Sequence, residues 1–123
     1  MSDRINEQNT VSGSCVISDE VIATIASRAA LEVPGVMGMA SRPTTSLRGL
    51  VSTGAERAVI VDNHENTVAL DVYINIAVDG RIQEIATAVQ QSVKSAVQAM
   101  TNKPVIRVNV HIAGIVLEDK AAQ

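Results

Sequence analysis

Apolar and polar residues alternate strictly over residues 67–78, and this pattern predicts a β-strand with one buried face. The residues predicted to face the core are Val68, Leu70, Val72, Ile74, Ile76 and Val78. A shorter apolar run at residues 58–61 precedes this strand, and the polar residues at 62–66 favour a turn between them. The two runs therefore predict a β-hairpin.

Residues 81–100 repeat apolar side chains at helical spacing, which predicts a long amphipathic helix. Its predicted core side consists of Ile82, Ile85, Ala86, Val89, Val93, Ala96, Val97 and Met100. Asn102 and Pro104 supply the stop signal after it.

An earlier helix is predicted to begin at Ser18, which is a good N-cap and is followed by two acidic residues that favour the positive end of the helix dipole. Its predicted core side is Val21, Ile22, Ile25, Ala26, Ala29 and Val33, and its predicted solvent side is Thr24, Ser27, Arg28 and Glu32. Pro34 and Gly35 are predicted to end this helix, with Gly35 as its cap.

A final strand is predicted at residues 105–117, which are rich in β-branched side chains. Ile106, Val108, Val110 and Ile112 are predicted to be buried. Gly114 interrupts the alternation and predicts a bulge or bend, because apolar residues follow it without a break.

The order of elements is helix, short strand, hairpin, helix and strand, which predicts an α+β fold. The expected architecture is a two-layer sandwich, in which a small, mainly antiparallel sheet carries two helices packed on one face. Residues 15–118 are predicted to form this single domain, between a disordered N-terminal tail at 1–14 and a C-terminal tail at 119–123. Residues 41–57 carry no clear element signal.

Composition excludes several classes of protein. The single cysteine, Cys15, cannot form an internal disulfide or a zinc site, so the chain fits a reducing compartment. No apolar run is long enough for a membrane span, and a net charge of -3 argues against nucleic-acid binding. We therefore expect a cytoplasmic protein that does not insert into the membrane directly and that meets it, if at all, through a protein partner.

The residues with chemical potential are few. No spacing joins either histidine, His64 or His111, to Cys15 as base and nucleophile. Asp62, His64 and Glu65 have the composition of a hairpin turn more than of a metal site. The sequence therefore predicts no catalytic residue, no cofactor and no metal ligand.

A G-x-x-G motif at Gly35 to Gly38 leaves one alternative open. KH modules clamp an RNA backbone with such a loop, and the predicted fold class is compatible with that use. The residues between the glycines are Val36 and Met37, and neither is basic. The favoured interpretation is a helix stop after which Val36, Met37 and Met39 return to the core, and a KH-like RNA-binding module is the alternative.

The solvent face of the predicted sheet is the best candidate interaction surface. It comprises Asp71, Tyr73 and Asn75 on the long strand and Arg107, Asn109 and His111 on the last strand. This mixed polar and aromatic face can meet solvent, a second subunit or a partner. The last strand is also expected at an edge of the sheet, which favours self-association.

Three stretches of the chain resemble the alkaline shock protein family, the general stress proteins of Gram-positive bacteria. They are ISDEVIATIASRAALEVPGVMGM at 17–39, RIQEIATAVQQSVKSAVQAMTN at 81–102 and VIRVNVHIAGIVLED at 105–119. The most specific parts are Gln91 to Thr101 and Val108 to His111. Relatives often carry glycine where this chain has Asn102.

The resemblance implies a cytosolic α+β domain without enzymatic activity, linked to cell-envelope homeostasis and to alkaline or envelope stress. It also implies assembly into homo-oligomers and recruitment to the inner face of the cell membrane by a small integral membrane protein. The family has no catalytic motif to transfer to residues of this chain.

Overall fold

A computed structural model of the chain describes residues 11–40, 58–79 and 81–117. These residues contain two helices and four strands, in an order that confirms the predicted one. The elements are α1 (Asp19–Leu31), β1 (Val36–Met39), β2 (Val59–Asn63), β3 (Val68–Ala77), α2 (Ile82–Thr101) and β4 (Val105–Val116). The predicted tails lie outside the described residues except for residues 11–14, which are exposed and belong to no helix or strand. The predicted domain boundaries stay a prediction.

The long alternating strand, β3, is the centre of the sheet. β1 and β2 pair with it antiparallel, β2 along 68–72 and β1 along 74–76, whereas β4 pairs parallel to it along 68–77. Since a strand has two edges, β1 and β2 follow one another along one edge of β3, and β4 occupies the other. The parallel pairing requires a crossover, and α2 provides it.

The core lies between the sheet and the two helices. The inward side chains of β3 are buried against the inward faces of α1 and α2, and across the helix pair Ser92 Oγ donates to the carbonyl oxygen of Ala29 at 2.9 Å. The α+β fold, a two-layer sandwich with a mainly antiparallel sheet and both helices on one face, is confirmed. The buried cluster is made of Ala, Val, Ile and Leu, so many small contacts replace the aromatic anchors of other cores.

The first helix begins as predicted but ends early. The Val21 amide donates to Ser18 Oγ at 3.2 Å, as an N-cap requires. The helix ends at Leu31 with Glu32 as its C-cap, so the prediction that it continues to Pro34 and is capped by Gly35 was wrong. Gly35 instead turns the chain into β1 with a φ of 101°.

The buried face of α1 is rotated from the prediction. Val21 is exposed, and Ser27, which we expected on the solvent side, is buried. The reason is that α1 packs against α2 as well as against the sheet. The stripe of Ala23, Ser27 and Ala30 is therefore buried in addition to Ile22 and Ala26.

The second helix agrees with its predicted pattern in the middle and differs at its ends. Ile85, Val89, Val93 and Val97 are buried, whereas Ile82 and Met100, in the first and last turns, are exposed. The helix stops as expected at Asn102, which adopts a left-handed conformation at the C-cap.

Two bulges interrupt the pairing of β4 with β3, and the first explains why one residue predicted to be buried is exposed. Val68 pairs with Val105 and Ala69 with Arg107, so Ile106 is an extra residue, and its exposure of 59% shows that the prediction of burial was wrong. The second shift skips Ala113 and sets Gly114 beside Asn75, which confirms the predicted bulge. A Cβ on Gly114 would lie 2.5 Å from Asn75 Oδ1, so a larger residue there would require the Asn75 side chain to move.

Candidate interaction surface

Both helices lie on one face of the sheet, and the opposite face of β3 and β4, here called the outer face, carries the residues that the sequence singled out. The pairing sets Asp71 beside Asn109 and Tyr73 beside His111. The six predicted residues, Asp71, Tyr73, Asn75, Arg107, Asn109 and His111, therefore share this face. Their role as an interaction surface stays a prediction.

A hydrogen-bond network fixes the centre of the outer face. Asn109 Nδ2 donates to Asp71 Oδ1 at 2.8 Å, and His111 Nε2 lies 3.1 Å from the same oxygen. Because a carboxylate only accepts, the imidazole donates from a protonated Nε2. The His111 ring also stacks on Tyr73, with 4.3 Å between centroids and 9° between planes. The four side chains therefore hold one another in a defined geometry.

The carboxyl group of Asp71 is ionised in this network at neutral pH. Burial raises the pKa of Asp71, but the hydrogen bonds from His111 and Asn109 and the attraction to His111 and Arg107 outweigh that effect. The pKa of Asp71 therefore lies below its usual value. The charge orients the imidazole and the amide on the outer face.

Substituting Asp71 with asparagine should lower the free energy of unfolding by about 1 kcal/mol at pH 7, because a partly buried charged acceptor is lost. The folded pKa is depressed, so the carboxylate contributes stability above the unfolded pKa of about 3.9 and loses it as the pH falls through the folded value. Urea denaturation of both proteins should therefore give a smaller difference at pH 3 than at pH 7. A difference that grows toward acid would contradict this account.

The matched control is Asp62→Asn. Asp62 also pairs with a histidine, His64, at 2.9 Å, but both side chains are exposed, Asp62 near the end of β2 and His64 in the turn after it. An exposed pair of this kind contributes little, so the free energy of unfolding should change by less than about 0.5 kcal/mol.

Apolar side chains flank the polar centre of the outer face. Ile60 of β2 lies opposite Asp71, and Val116 of β4 lies opposite Ala77, and both are exposed. No sequence pattern pointed to Ile60, because residues 58–61 are uniformly apolar and show no alternation. The outer face thus combines an ordered polar centre with apolar margins.

The G-x-x-G motif forms no loop between helices, which is what a KH clamp needs. Gly35 lies in a turn, where its carbonyl oxygen accepts from the Ala77 amide at 3.1 Å, and the next four residues form β1. Val36 and Met39 pack against the core as expected, but Met37 is 46% exposed, so its predicted burial was wrong. The motif is the entry into an edge strand.

The other residues considered from sequence form no further site. Among the described residues, no three His, Cys, Asp or Glu side chains lie close enough together to hold a metal ion. A cleft of about 150 Å³ adjoins Cys15, Ile22 and Lys103. The ammonium group of Lys103 binds Asn63 Oδ1 at 2.9 Å and the carbonyl oxygen of His64 at 2.8 Å, so it serves to tie α2 and β4 to the turn after β2.

Sequence similarity to known proteins establishes the family of this chain. The sequence matches the ASP23 family model, described as a family with cell envelope-related function, over residues 7–117. This chain belongs to the alkaline shock protein family. The resemblance found in the three sequence stretches is therefore confirmed.

Two members of the alkaline shock protein family from Bacillus subtilis (strain 168) illustrate the similarity. The chain is 31% identical over 123 residues to "Uncharacterized protein YqhY", covering 98% of this chain and 90% of that protein. It is 33% identical over 115 residues to "Uncharacterized protein YloU", covering 89% and 93%. Both similarities therefore extend over most of the chain.

Among solved structures, a manganese form of a MamM CTD variant overlaps with a TM-score of 0.48 at 15% identity, covering 79% of this chain and 99% of that one. Neither helix of the described residues is both long enough and apolar enough to cross a membrane.

Proposed function

We propose that this member of the alkaline shock protein family is a non-enzymatic protein of cell-envelope homeostasis and stress response. It acts as an oligomeric scaffold in the cytoplasm, and a small integral membrane protein recruits it to the inner face of the cell membrane. The outer face is the surface that meets the partner. The observation that carries the proposal is the network of Asp71, Asn109, His111 and Tyr73 on a sheet face that neither helix covers.

The chemistry of the outer face suits a protein partner. Tyrosine and arginine dominate the binding energy of many interfaces, and Tyr73 and Arg107 lie on this face. The stack and the hydrogen bonds hold Tyr73, His111 and Asn109 in place before binding, so less side-chain entropy is lost on association. The apolar margins at Ile60 and Val116 add area that a partner can bury.

Dimensions also favour a surface over a small-molecule pocket. The clefts at Lys103 and at Arg107 each measure about 150 Å³. Sites for drug-sized ligands usually measure about 300 to 1,000 Å³. The proposed role therefore involves contacts across a face, and no reaction is assigned to the described residues.

The test is sedimentation of the purified chain with three kinds of membrane: native inverted membranes from its own cells, the same membranes after protease treatment, and vesicles of their extracted lipids. We expect the wild type to pellet only with untreated membranes. The Tyr73→Ala and Arg107→Ala double variant should pellet at least about tenfold less, because two anchors of the kind that dominate interfaces are removed. Circular dichroism shows whether the variant has retained its fold.

Arg81→Ala is the matched control for the charge removed at position 107. Arg81 is also exposed but lies at the start of α2, where it pairs with Glu84 at 3.2 Å. It should pellet like the wild type. Binding of the wild type to lipid vesicles alone would exclude a protein anchor, and unchanged pelleting of the folded double variant would exclude the outer face.

A further inference from the structure

The free edge of β4 is the longest unpaired strand edge in the described part of the chain. β4 has 12 residues and pairs with β3 on one side only. Val110 and Ile112 pack against the core but stay partly exposed. Open edges of this length invite pairing with another strand.

Three hydrogen bonds establish which backbone groups point outward from this edge. The amides of Val68 and Val78 donate to the carbonyl oxygens of Pro104 and Val116, so those two residues of the last segment point toward β3. Backbone groups alternate in direction along a strand, and the bulges add one residue each. Arg107, Asn109 and His111 therefore point toward β3 as well.

The residues between them point away from β3. Gln90 confirms the direction, because its side chain reaches from α2 and donates to the carbonyl oxygen of Val108 at 3.1 Å. The N–H of Val108 and the N–H and C=O groups of Val110 and Ile112 therefore form the free edge, whereas the C=O of Val108 is held by Gln90. The bulges at Ile106 and Ala113 bracket this stretch and limit regular pairing to residues 107–112.

We infer that a second copy of this chain pairs antiparallel with β4, with the two Val110 residues facing each other on a twofold axis. This inference deepens the proposed function and rests on its oligomeric part. Antiparallel pairing must join outward residues to outward residues, and the Val110-centred register pairs all three outward residues, within residues 108–112 of each copy. It sets Val108 opposite Ile112 of the partner subunit and forms about four backbone hydrogen bonds apart from the Val108 carbonyl oxygens, which accept from Gln90.

In this register, apolar residues of the two copies face each other on one side of the strand pair, and polar residues face each other on the other side. On the helix side, every pair is apolar, which covers the remaining exposed area of Val110 and Ile112. On the outer face, Asn109 lies opposite His111 of the partner subunit, so donors and acceptors meet. A second copy is therefore the occupant that the edge fits, and the two outer faces become one continuous surface.

A proline at position 110 tests the edge directly. The Val110 amide points away from β3, so proline removes a donor to the partner and leaves the bonds to β3 in place. In sedimentation velocity across a concentration series, Val110→Pro should raise the dimer dissociation constant at least tenfold. Val110→Ala keeps the amide and should stay within about threefold of the wild type.

Cysteine crosslinking tests the register and does not depend on proline being tolerated. In a Cys15→Ser background, the double variant Asn109→Cys, His111→Cys should form disulfide-linked dimers under mild oxidation, because these positions face each other across the axis. The control Arg107→Cys, Asn109→Cys has the same number and spacing of thiols but no facing pair. It should crosslink at least fivefold less.

A monomer mass for the wild type at all concentrations would overturn this inference, as would equal crosslinking of the two cysteine pairs. The membrane assay separates that failure from failure of the proposed function. If pelleting still depends on Tyr73 and Arg107 while the chain stays monomeric, the edge inference and the oligomeric part fail, and the partner-binding role of the outer face stands.

Discussion

Replacing Leu70 with alanine should lower the free energy of unfolding by about 3–5 kcal/mol, because buried leucine truncation combines lost transfer energy with a residual cavity. Leu70 is 1% exposed and lies in β3, which pairs with the other three strands. Neighbours on both edges of β3 limit the collapse that would fill the space. A small domain has total stability of about 5–15 kcal/mol, so this loss should be visible as reduced solubility and an early urea midpoint.

Leu31→Ala supplies the matched control, since Leu31 ends α1 and is 48% exposed. Its free energy of unfolding should change by less than about 1 kcal/mol. Both variants are measured by urea denaturation followed by far-UV circular dichroism. Equal losses for the two leucines would show that β3 is not the centre of the core.

Replacing Gly35 with alanine should lower the free energy of unfolding by about 2–4 kcal/mol, because two costs combine. A φ of 101° is rarely adopted by residues with a side chain, and a Cβ at this position would lie 2.6 Å from Cδ1 of Ile85. Ile85 is buried in α2 and has little room to move. The substitution therefore strains both the turn into β1 and the contact of that turn with the helix.

Gly38→Ala is the control within the same G-x-x-G motif. A Cβ on Gly38 has nothing within 4 Å, so the change should stay within about 0.5 kcal/mol. In the Gly35→Ala background, Ile85→Val removes the nearer clashing atom, Cδ1 at 2.6 Å, but keeps Cγ1 at 2.9 Å, so it relieves part of the clash and should cost less than it does alone. If the two substitutions add without coupling, the backbone strain at Gly35 accounts for the whole loss.

The long elements were predictable because one physical signal dominated each of them. Strict alternation over β3 gave its buried face correctly from Val68 to Ile76, since a central strand of a two-layer fold has one face against the helices. Likewise, helical spacing correctly predicted the buried residues between Ile85 and Val97 on α2, because one side of that helix packs against the core. The N-cap role of Ser18 was predicted correctly, because a polar cap residue before an apolar series is a local sequence signal.

The predictions of burial and strand direction failed where these depend on contacts between elements that are distant in sequence. Ile106 fits the alternation of β4, but a bulge shifts the register there, and a bulge of this kind leaves no local signal. Ser27 is buried because α1 meets α2, and a single helix pattern does not report a second neighbour. The parallel pairing of β4 follows from the crossover through α2, which periodicity alone does not orient.

The outer face could be predicted as a set of residues but not as a network. Period-two spacing placed Asp71, Tyr73, Arg107, Asn109 and His111 on one side of the sheet. The contacts among them required the register of β3 against β4, in which Asp71 meets Asn109 and Tyr73 meets His111. Register depends on two bulges, so the stack and the shared carboxylate could not be derived from the sequence.

The placement of β1 and β2 along one edge of β3 has a consequence for how the chain tolerates change. Ala40 bonds to Tyr73 and Val59 pairs with Val72, so the chain leaves the edge and rejoins it at the neighbouring position. β1 and β2 are in effect one edge strand interrupted by residues 41–57. A substitution that weakens one of these short strands should therefore uncover only part of that edge of β3, because the other strand pairs with a separate part of it.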